Sequence, residues 1–168
     1  MATTQQMWQI VPRMADNPRP GDAVFDRVNF EDVYKLEAGV DMAIAGTFVM
    51  PDRYSGATGL TVNVHWFCQD SVAGNVVLEA AFETDHTGSD PAQSDAWGTP
   101  TVATAQAVPP TAGQIFKQPI AVAKANFGNR APAVGDRVRV RVRRLGKSNT
   151  GDTCAANIFV TNVEIMET

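Results

Sequence analysis

Histidine and cysteine are scarce in this sequence, which holds two of each among its 168 residues. Cys68 and Cys154 stand far apart and form no Cys-x-x-Cys pair, so the sequence favours two reduced, packed thiols and leaves a disulfide open. A closed zinc site needs about four well-spaced ligands, which these residues do not supply. His65 and His86 are the imidazoles available to a hydrolytic triad, and no Gly-x-Ser-x-Gly turn presents a serine to them. We therefore expect no catalytic residue, metal or cofactor.

Long apolar runs and a strong excess of one charge are also missing. No run approaches the roughly 18 apolar residues of a membrane-spanning helix. Residues 1–20 lack the basic start and apolar stretch of a signal peptide, so we expect synthesis in the cytoplasm. The 14 Lys and Arg against 18 Asp and Glu give a net charge of −4. That balance gives no general attraction to nucleic acid or to anionic membranes, and we expect neither as a partner.

The composition is that of one globular domain with an arm in front of it. Hydrophobic residues make up 44% and charged residues 19%, which excludes a disordered chain. Prolines interrupt the first part of the chain, so we predict an extended arm over residues 1–29 and a β domain over residues 30–168. Apolar arm residues Trp8, Ile10 and Val11 need a partner surface, on this subunit or another one.

Two-residue alternation of apolar and polar residues runs from about residue 43 to the end. It is clearest in residues 60–68 and in residues 137–143, where valine alternates with arginine. Loops rich in Gly, Pro and Asp separate about seven or eight such segments. The pattern predicts an all-β fold, an antiparallel jelly roll or β-sandwich.

Three segments depart from plain alternation. Residues 30–36 fit either one helical turn or an early strand. Pro119 cannot donate to a strand ladder, so the strand around it is predicted to lie at an edge or to carry a bulge. A change of phase near Thr161 and Asn162 predicts a β-bulge in the last strand.

Alternate arginines on one strand form the most informative cluster. We call it the arginine row, and its members are Arg137, Arg139, Arg141 and Arg143, with Arg144 beside them. Like charges in line repel each other, so acids on a neighbouring strand, such as Glu79 and Glu83, are the favoured counterions. The alternative is an acidic surface on another subunit, which the planar guanidinium suits. On that alternative, the arginine row and the three apolar arm residues form the predicted interface.

A long polar loop over residues 85–100 offers two further possibilities. Asp85, Asp90 and Asp95 are hard oxygen ligands that could gather around calcium, although solvated loop acids are the favoured interpretation. Trp97, together with Phe127 in a later loop, could be the exposed aromatics of a carbohydrate-binding β-sandwich, although two loop aromatics are too few to favour that interpretation. His86 lies in the same loop among common turn residues, so a catalytic role is disfavoured there.

Several short blocks resemble, in their order, a family of small jelly-roll structural proteins of tailed bacteriophages. The blocks are FVMPDRYSG at 48–56, GLTV at 59–62, HW at 65–66, GNVV at 74–77, GDRV at 135–138, VRR at 142–144, GD at 151–152 and VTNVEI at 160–165. They fall within residues 43–168, about three quarters of the chain. The arm lies outside the matching region.

The resemblance implies a virion structural protein without enzyme activity. On this basis we expect a capsid decoration or cement protein, a homotrimer that contacts the major capsid protein or other virion proteins. Many copies on a symmetric shell would then act multivalently. A tail or fibre component is the alternative within the virion, and a carbohydrate-binding β-sandwich that attaches the particle to host glycans is the alternative of another class.

Overall fold

The computed structural model describes residues 6–10, 22–29, 31–85, 96–128 and 130–168. Within these ranges there are thirteen strands, one 3-10 turn at Lys124–Asn126 and no α-helix. The strands are β1 (Gln6–Ile10), β2 (Val24–Val28), β3 (Glu31–Leu36), β4 (Asp41–Val49), β5 (Leu60–Phe67), β6 (Asn75–Val76), β7 (Leu78–Asp85), β8 (Thr101–Val102), β9 (Gln106–Ala107), β10 (Phe116–Val122), β11 (Phe127–Gly128), β12 (Arg137–Leu145) and β13 (Ile158–Glu167). The described part of the chain has no helix with the length and apolar character needed to cross a membrane.

The strands form an antiparallel β-sandwich of the jelly-roll class, as the alternation predicted. The larger sheet has the order β10-β5-β13-β3-β2, and β1 pairs with the part of β13 that β3 leaves unpaired. The second sheet has the order β11-β7-β12-β4, with β8 also paired to β7. One pair, β11 with β7, is parallel, and β6 and β9 form a separate two-stranded ribbon.

The core fills the space between the two sheets. The valines of β12 point into it, and each is fully buried. Trp66 is the largest fully buried side chain, and its indole Nε1 donates to Gln118 Oε1 over 3.1 Å. Burial of apolar surface on this scale is the main favourable term in folding. The outer faces of the sheets are not part of this core.

Sheet pairing begins earlier in the chain than the sequence predicted. β1 and β2 fall within the segment assigned to an extended arm, yet both pair with strands of the same subunit. The Trp8 ring stacks on Phe48 with ring centroids 5.3 Å apart, so this subunit supplies the apolar surface that Trp8 needs. Ile10 ends β1, and Val11 lies outside the described residues.

The strand pairing decides three local predictions made from the sequence. Residues 31–36 are strand, not a helical turn. Pro119 lies in β10, which forms an edge of the larger sheet, so that prediction is confirmed. The pairing of β13 with β5 shifts register between Val160 and Asn162, which confirms the bulge.

Candidate functional site

The arginine row lies on the outer face of the second sheet. Along β12 the valines are buried and the alternating arginines are partly exposed, because successive strand residues point to opposite faces. Their side chains are between 24% and 43% exposed. The row therefore forms a line of guanidinium groups along the middle of the sheet, between β7 and β4.

Carboxylates on β7 stand directly opposite the arginine row. Arg139 Nη1 donates to Glu83 Oε2 over 2.6 Å. Arg143 Nε lies 2.8 Å from Glu79 Oε1. Arg137 Nη1 donates to Asp85 Oδ2 over 3.2 Å. Neutralisation of the row by acids on a neighbouring strand is thus confirmed.

The acids are more deeply buried than the arginines opposite them. The three carboxylates are at most 7% exposed, whereas the guanidinium groups reach the surface. A guanidinium carries five N–H donors in a planar fork, and one carboxylate accepts from no more than two of them in a bidentate pair. A molecule that approaches this face therefore meets hydrogen-bond donors first, with the carboxylates held below them.

Trp97 lies across the arginine row. Its ring centroid is 5.0 Å from Arg139 Cζ and 4.8 Å from Arg141 Cζ, which is the range of cation–π contact. The residue remains partly exposed. Two guanidinium groups contact the indole ring, and these contacts help to hold it in position.

The segment that carries Trp97 is fixed by its backbone. Ala96 N donates to Glu83 Oε1 over 3.0 Å, and Gly98 N donates to the Phe82 carbonyl over 2.8 Å. A Cβ on Gly98 would lie 1.9 Å from the carbonyl oxygen of Asn126, so only glycine allows this approach. Trp97 is therefore presented by a rigid segment bonded to the sheet.

On the other side of the arginine row, the sheet surface carries small side chains. We call this surface the low strip; it consists of the outward residues of β4, namely Ala43, Ala45, Thr47 and Val49. They stand directly opposite the four arginines, and residues paired in this way share a face. Their small side chains leave room beside the longer arginines. The arginine row, Trp97 and the low strip together make the candidate binding face.

The remaining aromatic candidate and Arg144 lie elsewhere. Phe127 is buried and stacks on Phe82 at 4.8 Å, so the expectation that it is an exposed loop aromatic was wrong. Arg144 is not beside the arginine row either. It follows the phase of the valines and points to the core side, where it is fully buried against Asp152.

The histidines and the loop acids of the sequence occupy separate positions. His65 is a half-buried strand residue, as predicted, and its Nε2 lies 3.2 Å from Glu164 Oε2. Among the described residues, no group of three or more His, Cys, Asp and Glu side chains is arranged to hold a metal ion. Asp85 instead pairs with Arg137. His86, Asp90 and Asp95 fall outside the described residues.

The pKa of Glu164 gives a prediction for stability against pH. Burial raises this pKa, but the hydrogen bonds and charges of His65 and Lys117 outweigh burial and bring it below its ordinary value of 4.5. A lowered folded-state pKa contributes stability that is present above the unfolded value and is lost as pH falls through the folded value. In urea unfolding, Glu164→Gln should be less stable than wild type by about 0.5–1 kcal/mol at neutral pH. The gap should close below about pH 4.5; a gap that is constant down to pH 3 would contradict this account.

Comparisons with known proteins assign this chain to no family. No protein-family model matches the sequence, and no match was found among curated proteins. A solved structure of the carbohydrate-binding module TmCBM27, described for its specific recognition of mannan, is similar to 99% of this chain and 87% of its own. The two sequences are 10% identical and the TM-score is 0.38, a value that carries no argument about function.

Proposed function

We propose that this chain is a non-catalytic binding protein of a phage particle, and that its candidate binding face binds an acidic carbohydrate of the host surface. The observation that carries the proposal is the position of Trp97 over Arg139 and Arg141. An aromatic ring beside outward-pointing donors combines the two kinds of contact that sugars make with proteins. It lies on a rigid sheet, so little conformational entropy is lost on binding.

Trp97 supplies the apolar half of the contact. Sugar rings carry C–H groups on their faces, and these pack against the flat surface of an indole. The guanidinium groups of Arg139 and Arg141 already cover part of the ring and fix its orientation. The exposed part of the ring therefore serves as a ready platform, as expected of a preformed site.

The arginine row supplies the polar half and favours carboxylate-bearing sugars. Arginine is a planar donor that pairs with carboxylates in a bidentate manner. The acids opposite it are buried, so they hold the arginines in place and are shielded from the ligand. The low strip lies alongside the arginine row over residues 43–49 and leaves room for a chain of sugar units.

The virion setting rests on the resemblance of the sequence blocks to phage jelly-roll structural proteins. On a particle, many copies would bind the host surface together, which turns a weak single contact into strong attachment. Assembly with itself, as a homotrimer in the virion, would add to this effect. Synthesis in the host cytoplasm and incorporation into the virion complete the proposal.

A panel of immobilised polysaccharides tests the proposed function. The full chain is passed over polygalacturonate, mannan and dextran at low salt and at about 0.5 M salt, where charge contacts are strongly screened. We expect retention on the acidic polymer, weaker retention on the neutral ones, and a marked loss at high salt. Absence of retention on every polysaccharide, or equal retention on all three, would contradict the proposal.

A capsid decoration or cement protein is the second candidate, and the outer edge of β4 favours it. Within the described residues, no strand pairs with that edge beyond an isolated bridge between Asp22 and Ala43. Val49 is 64% exposed there, and nearby Val134 is 47% exposed. An exposed edge strand is a template for strand addition by a neighbouring protein, such as another copy or the major capsid protein. Cryo-EM density on the head shell, together with no binding to any polysaccharide, would select this candidate.

A further inference from the structure

Two buried thiols meet at one end of the sandwich. Cys68 directly follows β5, and Cys154 lies in the segment between β12 and β13, 86 positions later in the chain. Each residue is 3% exposed, and both belong to the core cluster. The residues that follow each cysteine line the same surface pocket, and each thiol changes the pKa of the other. Long-range folding therefore brings together the two cysteines of the sequence.

The backbone on both sides of this pair is held in place. Gly113 N donates to the Cys68 carbonyl over 2.7 Å, and Cys154 N donates to the Asn75 carbonyl over 3.0 Å. Gly74 has a φ of +129°, and a Cβ there would lie 2.9 Å from Cys154 Cα, so a side chain at this position would collide with the segment. The two thiols are thus kept side by side by their surroundings.

We propose that Cys68 and Cys154 are a redox modification site, at which a peroxide joins them in a reversible intramolecular disulfide. The proposal is independent of the carbohydrate site. It assigns a chemical role to a residue pair for which the sequence favoured two reduced, packed thiols and left a disulfide open.

Cys154 is the thiol that reacts first. The hydrogen bond from Cys68 lowers the pKa of Cys154, and the positive charge of Arg144 acts in the same direction against the effect of burial. The same hydrogen bond, together with burial, raises the pKa of Cys68. A thiolate is the nucleophilic form of cysteine, so the pair is polarised toward attack by Cys154.

The two steps balance with peroxide as the oxidant. The Cys154 thiolate attacks one oxygen of hydrogen peroxide, the O–O bond breaks, and a sulfenic acid and water form once a proton is taken up. Cys68 then attacks the Cys154 sulfur, an S–S bond forms, the S–O bond breaks, and a second water leaves with the thiol proton. In total, two thiols and one peroxide give one disulfide and two waters.

A surface pocket is lined by residues that follow the two cysteines in the chain. Its lining includes Gln69 and Asp70, which follow Cys68, and Ala155 and Ala156, which follow Cys154. Peroxide is small enough to enter such a pocket and to reach a thiol after a slight local opening. Large oxidants would be excluded by the burial of both residues.

Peroxide treatment of the reduced full chain tests the proposal. The oxidised protein is denatured, alkylated without reductant, digested and analysed by mass spectrometry. We expect a mass loss of two hydrogens, no alkylated cysteine, and one linked peptide pair that contains Cys68 and Cys154. The link closes a long loop, so Tm should rise by about 5–10 °C and should return to its first value with dithiothreitol.

Cys68→Ala and Cys154→Ala are matched controls, because each keeps a small apolar side chain in the core. Neither variant should show the mass loss or the rise in Tm. The proposal is overturned if wild type keeps both thiols open to alkylation, if Cys154 only gains oxygen atoms, or if the link forms only between two chains. The wild-type result decides the matter even if a variant fails to fold.

Discussion

Replacing Arg144 with leucine should lower the free energy of unfolding by about 3–5 kcal/mol, because it leaves a buried carboxylate without its cation. The side chains of Arg144 and Asp152 are 0% and 1% exposed. The pair is bidentate: Arg144 Nε and Nη2 donate to the two Asp152 oxygens over 3.1 Å and 2.9 Å. Loss of one partner from such a pair is among the most costly single changes in a protein core.

Arg144 also satisfies three backbone carbonyls. It donates to Leu36, Ala156 and Cys154 over 3.3, 2.8 and 2.7 Å. These contacts join the end of β12 to the end of β3 and to the segment before β13. Leucine fills much of the volume but donates to none of these groups, so each carbonyl loses a buried hydrogen bond.

Urea unfolding at neutral pH measures the effect of Arg144→Leu. Arg27→Leu is the matched control, because Arg27 pairs with Asp32 on the surface with side chains 62% and 42% exposed. That change should cost no more than about 1 kcal/mol. The double variant Arg144→Leu with Asp152→Leu should recover part of the loss, since no carboxylate then remains buried at this position. A loss below about 1 kcal/mol for Arg144→Leu would show that the pair does not have this role.

Replacing Trp97 with alanine should weaken binding of an acidic oligosaccharide by about 10- to 100-fold, on the proposed function. The change removes the platform on which a sugar ring packs. It also removes the cation–π contacts that orient Arg139 and Arg141, so part of the polar contact is lost with the apolar one. Isothermal titration with a galacturonate oligomer measures the effect.

Two controls separate a lost contact from a damaged fold. Trp97→Tyr keeps an aromatic face and should retain affinity within about 3-fold, which is less than 1 kcal/mol. Ile115→Ala removes an apolar residue that is 51% exposed just before β10, on the other sheet, and should leave binding unchanged. Equal affinity of wild type and Trp97→Ala would place the carbohydrate elsewhere or rule it out.

The sequence was informative where a feature depends on neighbours along the chain. Strict alternation over residues 137–143 predicted both the strand and the face on which the arginines lie. When the same alternation is continued by one residue, it places Arg144 on the side of the valines. We missed this because we grouped Arg144 with the other arginines. The bulge near Thr161 likewise follows from a local change of phase.

Features that depend on distant segments could not be predicted in the same way. Trp97 reaches the arginine row only because Gly98 lets its segment approach Asn126 closely, and a glycine in a loop does not by itself indicate a close approach. Cys68 and Cys154 meet because β5 and β13 are neighbours in one sheet, an order that spacing alone does not reveal. β1 was missed because five residues ahead of a proline show too little alternation to mark a strand.

Amide chemical shifts during titration with a galacturonate oligomer test most directly whether the face of Trp97 and the arginine row is the binding site. The account predicts that the largest changes fall on residues 97–98, on residues 137–143 of β12 and on residues 43–49 of β4. The sheet that contains β5, β10 and β13 should remain unchanged. Changes confined to that sheet, or no changes at any ligand concentration, would contradict the central claim.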